Sequence, residues 1–214
     1  INIFISFFLF SSNNLFAQPG FLDPTFGTGG LTASYNIAGC NSSTVQSDGK
    51  ILVSGYYGTP IIERFNEDGS SDESFGVSGR STLHFGYAAG DPTGISQVDN
   101  NKIIMSCWYL PTSPSNYDIL VARLKDDGEI DSSFGTNGIA TMDIDNYDYS
   151  EAMAIQPDGK IVVVGKLGKN EYDELRIFLA RFNPDGSIDS SFGVNGHVAT
   201  KFDEAVTCSS RSEE

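Results

Sequence analysis

The chain has 214 residues, a net charge of −15 and 23 glycines. Its excess of Asp and Glu repels the phosphates of nucleic acids, which excludes DNA and RNA as partners. The glycines, together with 12% aromatic residues, favour an all-β protein with many turns over a disordered chain.

The N-terminal segment is strongly apolar. Eight of the first ten residues are apolar, and a polar stretch separates them from Leu15-Phe16-Ala17. This pattern predicts a secretory signal peptide over residues 1–17, incomplete at its N terminus, with a buried strand as the alternative. No later stretch is long and apolar enough to span a membrane, so we expect a secreted or cell-surface protein.

A six-residue phrase that ends in Phe-Gly recurs four times along the chain. The phrases begin at residues 22, 71, 130 and 188, and their phenylalanines are 49, 59 and 58 residues apart. The short first interval is explained by shorter loops, because loops absorb changes in length that strands cannot. A period of this size predicts a stacked repeat architecture.

The third copy shows the elements of one repeat most clearly. A strand over 151–156 precedes Pro157-Asp158-Gly159-Lys160, which predicts a tight hairpin turn. The unbroken apolar run 161–165 predicts a second strand, covered on both faces. Further strands are expected over 177–182 and 197–202, with another turn and the phrase between them. Four strands per repeat predict a β-propeller blade, with a β-solenoid as the alternative.

The domain boundaries follow from the alignment of the repeats. Residues 18–203 are expected to form the propeller domain. Its parts are an orphan fourth strand over 21–36, blade 1 over 37–86, blade 2 over 87–144 and blade 3 over 145–203, with the start of a further repeat over 204–214. Because known propellers have at least about four blades, we expect a partial propeller whose remaining blades are missing from this chain.

The turn motifs and the phrase together resemble a known family. Residues 156–165 and 179–193 are similar to the delta-60 repeat, a propeller domain of unknown function, and the likeness extends over about 21–203. The second copy departs from the pattern, because Asn100-Asn101 replaces Asp-Gly. The resemblance implies secreted or surface-exposed bacterial proteins built from tandem blades, and it brings no catalytic residues.

Each repeat carries an Arg in an apolar strand and an Asp eight residues later. A guanidinium in apolar surroundings needs a partner, and a carboxylate matches its geometry. We therefore expect one structural Arg–Asp pair per blade, with a ring of arginines that binds an anionic ligand as the alternative. The residues assigned to this structural repeat signature are Asp48, Gly49, Arg64, Asp72, Phe75, Gly76, Arg123, Asp131, Phe134, Gly135, Asp158, Gly159, Arg181, Asp189, Phe192 and Gly193.

The three cysteines are Cys40, Cys107 and Cys208. They are too few for a disulfide framework, and Cys40 and Cys208 take equivalent positions in different repeats, which stand apart in space. Buried free thiols are therefore expected.

No residue pattern indicates catalysis or a cofactor. The motifs of serine hydrolases, zinc proteases and P-loop proteins are absent from the sequence. Asp143, Asp145 and Asp148, with Asp91, offer oxygen ligands for Ca²⁺, but the glycine and distal Glu of a calcium loop are missing. We expect no metal, while a pair of carboxylates for glycosidic cleavage stays open.

The segment that differs most between the repeats is the loop that starts at Trp108. Trp108, Tyr109 and Tyr117 could stack on sugar rings or anchor a protein, and packing at the blade rim is the alternative. The expected function is a secreted, non-enzymatic scaffold that binds a protein or polysaccharide. A fragment of a hydrolytic, carbohydrate-active propeller and a spacer without ligand are the other hypotheses.

Overall fold

A computed structural model describes residues 21–34, 39–86, 88–111, 116–145, 147–168 and 176–201. The predicted signal peptide over 1–17, the further repeat over 204–214 and Cys208 lie outside the described residues. Within the described part of the chain, no helix has the length and apolar character needed to cross a bilayer.

The described residues form three four-stranded antiparallel sheets. The first sheet contains β1 (Cys40–Val45), β2 (Ile51–Tyr56), β3 (Pro60–Phe65) and β4 (Arg80–Thr82). The second contains β5 (Ala88–Gln97), β6 (Ile103–Leu110), β7 (Asp118–Leu124) and β8 (Ile139–Met142). The third contains β9 (Asp148–Ile155), β10 (Ile161–Leu167), β11 (Arg176–Phe182) and β12 (His197–Lys201). Each sheet keeps the chain order of its strands, so the prediction of an all-β fold with four-stranded propeller blades is confirmed.

The hairpin turns between first and second strands follow from local chemistry. In blade 3 the Gln156 N–H donates to the Lys160 carbonyl at 2.8 Å, and Gly159 takes a φ of 80°, which glycine adopts without strain. In blade 2 the divergent copy forms a short 3₁₀ turn, Asp99–Asn101. Asn100 and Asn101 have φ values of 59° and 58°, which asparagine tolerates better than most residues. The sequence departure thus changes the turn type and keeps the hairpin.

Two apolar cores lie between neighbouring blades. Along β6, alternate side chains point to opposite sides, so Ile103 and Met105 pack toward blade 1 while Ile104 packs toward blade 3. The apolar run 161–165 was predicted to be buried on both faces, but the structure buries only one of them. Val163 is buried against blade 2, but Val162 is half-buried, because among the described residues no fourth sheet covers the other face.

The recurring phrase joins each repeat to the next one. Each phrase makes two contacts with the turn between the third and fourth strands of the following blade. The phenylalanine ring of the phrase lies against a glycine of that turn. The N–H of the phrase's glycine donates to the carbonyl of the residue before the turn glycine. The ring contacts are Phe26–Gly69, Phe75–Gly128 and Phe134–Gly186, and the hydrogen bonds are Gly27–Asp68 at 2.7 Å, Gly76–Asp127 at 2.7 Å and Gly135–Asp185 at 2.8 Å.

The segment before blade 1 does not form the predicted fourth strand within its described residues 21–34. It contains a single bridge, between Gly27 and Leu31, and among the described residues no third strand pairs with it. It nevertheless docks on blade 1 like the fourth strand of a repeat. Thr32 Oγ1 donates to the Gly69 carbonyl at 2.7 Å, as Ser81 Oγ does to the Gly128 carbonyl at the equivalent position.

The two described cysteines differ in exposure. Cys107 is buried in the core between blades 1 and 2, as expected, and burial raises the pKa of its thiol. Cys40 is exposed, so the expectation of a buried thiol is wrong for this residue. It begins β1, the first strand of its blade, and lines an open groove that crosses β1, β5 and β9.

Candidate functional site

Each predicted Arg–Asp pair is formed, and a lysine joins it. The Nε–Oδ2 distances are 2.7 Å for Arg64–Asp72, 2.8 Å for Arg123–Asp131 and 2.8 Å for Arg181–Asp189. The lysine of the first hairpin turn contacts the same oxygen, at 2.9 Å from Lys50, 2.8 Å from Lys102 and 3.1 Å from Lys160. We call each such group of Arg, Asp and Lys a blade latch.

The carboxylate of each latch is saturated with donors. Burial alone raises the pKa of Asp72, but the Ser74 hydroxyl and the Lys50 ammonium outweigh it and hold that pKa well below its usual range. Hydrogen bonding by Ser191 and Lys160 does the same for the pKa of Asp189. The resulting stabilisation is present above the ordinary Asp pKa of about 4 and is lost as the pH falls below it.

Two of the three latch arginines, Arg64 and Arg123, also reach the next blade. Arg64 Nη1 donates to the Asp126 carbonyl at 2.6 Å, and Arg123 Nη1 donates to the Pro184 carbonyl at 2.8 Å. The Arg64 guanidinium stacks on the Phe75 ring, 4.7 Å from its centroid. Because protein groups use these donors, the arginines hold blades together, and the geometry does not favour a ring that binds an anionic ligand.

Four aromatic side chains meet at one edge of the junction between blades 2 and 3. Trp108 and Tyr117, two of the three predicted ligand-binding residues, are joined there by Tyr147 and Tyr149. The ring centroids are 4.8 Å apart for Trp108–Tyr117, 4.9 Å for Tyr117–Tyr149, 5.6 Å for Tyr117–Tyr147 and 6.5 Å for the stacked Tyr147–Tyr149 pair. All four side chains are half-buried, and we call them the aromatic cluster.

The third predicted residue, Tyr109, lies elsewhere. It is 6% exposed and belongs to the core between blades 1 and 2, because successive residues of β6 point to opposite faces. Trp108 occupies the other face, where its indole lies over Gly90. A Cβ at Gly90 would come within 1.9 Å of that ring, so a glycine is required under the indole.

Three carboxylates form a second group, and two of them, Asp118 and Asp148, are sequence neighbours of residues in the aromatic cluster. Asp118, Asp143 and Asp148 bring their oxygens within 4.8 Å of one another, and we call them the acidic cluster. Of the four carboxylates predicted as cation ligands, only Asp143 and Asp148 meet here. Asp145 pairs with Arg176, and Asp91 is exposed on β5. Asp118 was not predicted, although its place next to Tyr117 at the start of a strand was a usable signal.

The two buried carboxylates of the acidic cluster have raised proton affinity. Burial, with the Asp143 charge nearby, raises the pKa of Asp118 to about 6. Burial also raises the pKa of Asp148 to about 7, with smaller contributions from Asp143 and Asp118. Asp148 Oδ2 accepts from the Ile144 N–H at 2.6 Å and Oδ1 from the Asp145 N–H at 3.0 Å, so this side chain braces the backbone that precedes β9.

The acidic cluster offers three of the six to eight oxygens that Ca²⁺ takes. Asp118 already accepts a hydrogen bond from Asn116 Nδ2 at 3.0 Å, and Asp148 accepts backbone hydrogen bonds. These residues are the ones that could hold a cation, and the expectation that the chain binds no metal stays a prediction.

The raised pKa values predict a pH dependence of stability. Between about pH 4 and pH 7 the folded chain binds more protons at Asp118 and Asp148 than the unfolded chain, so the free energy of unfolding should fall as the pH rises. Asp143→Asn removes the exposed charge that raises both pKa values, and the decline should become smaller. Urea unfolding across this range measures the effect, with Asp91→Asn as the control. An equal decline in wild type and Asp143→Asn would contradict the coupling.

Comparison with known proteins identifies the repeat. Residues 46–75 and 156–192 match the β-propeller family described as a domain of unknown function (DUF5122). Each matched segment runs from the first hairpin turn through the second and third strands to the phrase. These two segments are similar to the repeat of a β-propeller family of unknown function.

Among solved structures, the chain is similar to a protein of unknown function from Bacteroides caccae. It shares 9% sequence identity over 75% of this chain and 86% of that chain, with a TM-score of 0.34. No curated protein matches the propeller repeats of this chain.

Proposed function

We propose that this β-propeller protein is a non-enzymatic scaffold that acts outside the cell and binds a neutral polysaccharide through the aromatic cluster. Aromatic faces stack on sugar rings, and tyrosine hydroxyls add hydrogen bonds at the same surface. The net charge of −15 and the adjacent acidic cluster disfavour a polyanionic ligand. A protein ligand is the alternative.

The observation that carries this proposal is a difference between residues that recur in every blade and residues that occur in one place. The charged groups of the signature that recur in every blade are used inside the latches. The aromatic cluster occurs once among the described residues, where β6 ends and β7 and β9 begin. Binding groups are found disproportionately in such places.

A hydrolytic function is the second candidate. The raised pKa values of Asp118 and Asp148 favour it, since carboxylic acids that stay protonated near neutral pH can act as general acids. Against it, Asp148 is fully buried and its oxygens accept backbone hydrogen bonds, which supports a bracing role.

An extracellular location is supported by the sequence of residues 1–17, with its apolar core and small-residue cleavage site. The scattered acidic residues are also typical of a protein that stays soluble outside the cell.

The test is a panel of neutral polysaccharides assayed with the full chain for binding by calorimetry and for cleavage by release of reducing ends. We expect binding without cleavage, and we expect Tyr147→Ala to weaken binding by about tenfold or more, as for removal of an aromatic anchor. Tyr57→Ala is the matched control, because Tyr57 is 62% exposed on blade 1, outside the cluster.

Thermal unfolding of both variants separates lost binding from lost folding. Release of reducing ends that Asp148→Asn abolishes would overturn the non-enzymatic proposal in favour of hydrolysis. Equal binding by wild type and a folded Tyr147→Ala would remove the aromatic cluster as the site.

A further inference from the structure

Asp148 is hydrogen-bonded on both sides of the junction that carries the aromatic cluster. Its N–H donates to the Tyr117 carbonyl of blade 2 at 2.7 Å. Its carboxylate accepts from the N–H groups of Ile144 and Asp145, at 2.6 Å and 3.0 Å, and so holds the segment that leads from β8 to β9. One residue therefore connects the backbone of Tyr117 with the backbone that leads into Tyr147.

The backbones of these two tyrosines are also joined directly. Tyr117 and Tyr147 form a parallel β-bridge, and the Tyr147 carbonyl accepts from the Gly168 N–H at 3.1 Å. Their ring centroids are 5.6 Å apart. Because the two residues come from different blades, the relative position of their rings depends on the backbone contacts around Asp148.

A carboxylate at this position is not required by the fold. Asp148 and Ala89 are equivalent, because each lies fourteen residues after the phenylalanine of the preceding phrase. Both residues are buried. The segment before Ala89 is held by apolar packing instead, since Leu83 and Phe85 are buried in the core between blades 1 and 2.

The carboxylate occurs together with the tyrosines. Moving a carboxylate out of water costs free energy unless hydrogen bonds compensate, whereas burying leucine or phenylalanine contributes to stability. Blade 3 nevertheless has the carboxylate, and Tyr147 and Tyr149 flank it, whereas Ala88 and Gly90 flank Ala89. A buried polar group whose hydrogen bonds are satisfied makes the local structure rigid and specifies one arrangement.

We infer that Asp148 is a positioning residue of the aromatic cluster, which holds Tyr147 against Tyr117 and thereby sets the affinity for the ligand. Its completely buried side chain acts through the backbone and does not contact the ligand. The inference rests on the proposed polysaccharide site, because ligand affinity is one of its two readouts. The other readout needs no ligand.

The first test is Asp148→Ala in the full chain. We expect the affinity for the polysaccharide to fall by about tenfold or more, as for loss of an aromatic anchor, because Tyr147 is no longer held in place. Trp108 is the only tryptophan of the sequence, and its ring lies 4.8 Å from that of Tyr117, so the fluorescence of the free chain reports on the cluster. We expect its emission to move to longer wavelength as the indole becomes more exposed to water.

Two further variants separate positioning from a general loosening of the junction. Asp148→Asn keeps one carbonyl acceptor, so its affinity and emission should lie between those of wild type and Asp148→Ala. The matched control is Ser150→Ala. Ser150 is 2% exposed on the same strand, and its hydroxyl accepts from Thr93 Oγ1 of blade 2 at 3.0 Å. Its loss removes a buried hydrogen bond of the same junction and should leave affinity and emission unchanged.

Urea unfolding shows which variants are folded under the conditions of the assay. Unchanged emission and affinity in folded Asp148→Ala and Asp148→Asn would overturn the inference. An equal change in Ser150→Ala would overturn it as well, since any lost hydrogen bond of the junction would then disturb the site. If Asp148→Ala does not fold, the comparison of Asp148→Asn with Ser150→Ala decides. If wild type binds no polysaccharide, the proposed function fails by itself, and the Trp108 emission still decides whether Asp148 positions the cluster.

Discussion

Replacing Arg64 by alanine is expected to lower the free energy of unfolding by about 3–5 kcal/mol, the range for breaking a buried ion pair by removing one partner. The Arg64 side chain is 3% exposed, and it bonds Asp72 at 2.7 Å and the Asp126 carbonyl at 2.6 Å. Its loss leaves both acceptors short of a donor and removes the cation over the Phe75 ring.

The matched comparison is Arg181→Ala in the last blade. Its side chain is 19% exposed, and it keeps the Asp189 pair, with no bond to a following blade among the described residues. We expect a smaller loss of about 1–2 kcal/mol, since the site is partly solvated and no such interblade acceptor loses its donor.

Urea unfolding of both variants at neutral pH measures the difference. Unchanged stability of Arg181→Ala would contradict a structural role for the latch. Equal losses for the two variants would instead mean that the bond to the next blade contributes little.

Gly135→Ala is expected to lower the free energy of unfolding by about 2–5 kcal/mol. Gly135 has a φ of 50°, a left-handed conformation that costs an alanine about 1–2 kcal/mol. The added Cβ would also lie 2.2 Å from the Ile139 carbonyl oxygen, and relieving this backbone clash adds about 1–3 kcal/mol.

Gly29→Ala separates the conformational cost of a positive φ from the cost of the steric clash. Gly29 has a φ of 64°, and nothing lies within 4 Å of the position that its Cβ would take. Its equivalents in blades 2 and 3 are Asn137 and Asn195, which have φ values of 56° and 52°. We expect only the conformational loss of about 1–2 kcal/mol here, and a loss as large as that of Gly135→Ala would contradict the clash.

Two of the four residues in the aromatic cluster were predictable from the sequence. Trp108 and Tyr117 were predictable as an unusual loop pair, because neither recurs at the same place in another repeat. Tyr147 and Tyr149 come from the next blade, and no local pattern connects them with Trp108. Tyr109 was wrongly assigned to the ligand-binding loop because a strand in a propeller can bury both of its faces. The sequence therefore does not show that Tyr109 points to the opposite face from Trp108.

Sequence reasoning placed Asp143 and Asp148 together but did not connect Asp118 with them, for a related reason. Asp118 follows a loop and begins β7, whereas Asp148 begins β9 in the next sheet. Their proximity depends on how two blades are placed side by side. The raised pKa values then follow from burial, which is a tertiary property.

The sequence by itself determined the repeat, the four strands of each blade, their turns and the pairing of each Arg with the Asp eight residues later. All of these depend on contacts within one repeat, where local propensity and spacing decide the geometry. The tertiary structure alone decided that the Phe-Gly phrase docks on the following turn and that Arg64 and Arg123 bond to the next blade, whereas Arg181 bonds to Gln156 of its own blade. The contacts with the next blade join residues 41 to 62 positions apart. A period in the sequence shows that such a junction exists without showing which atoms meet there.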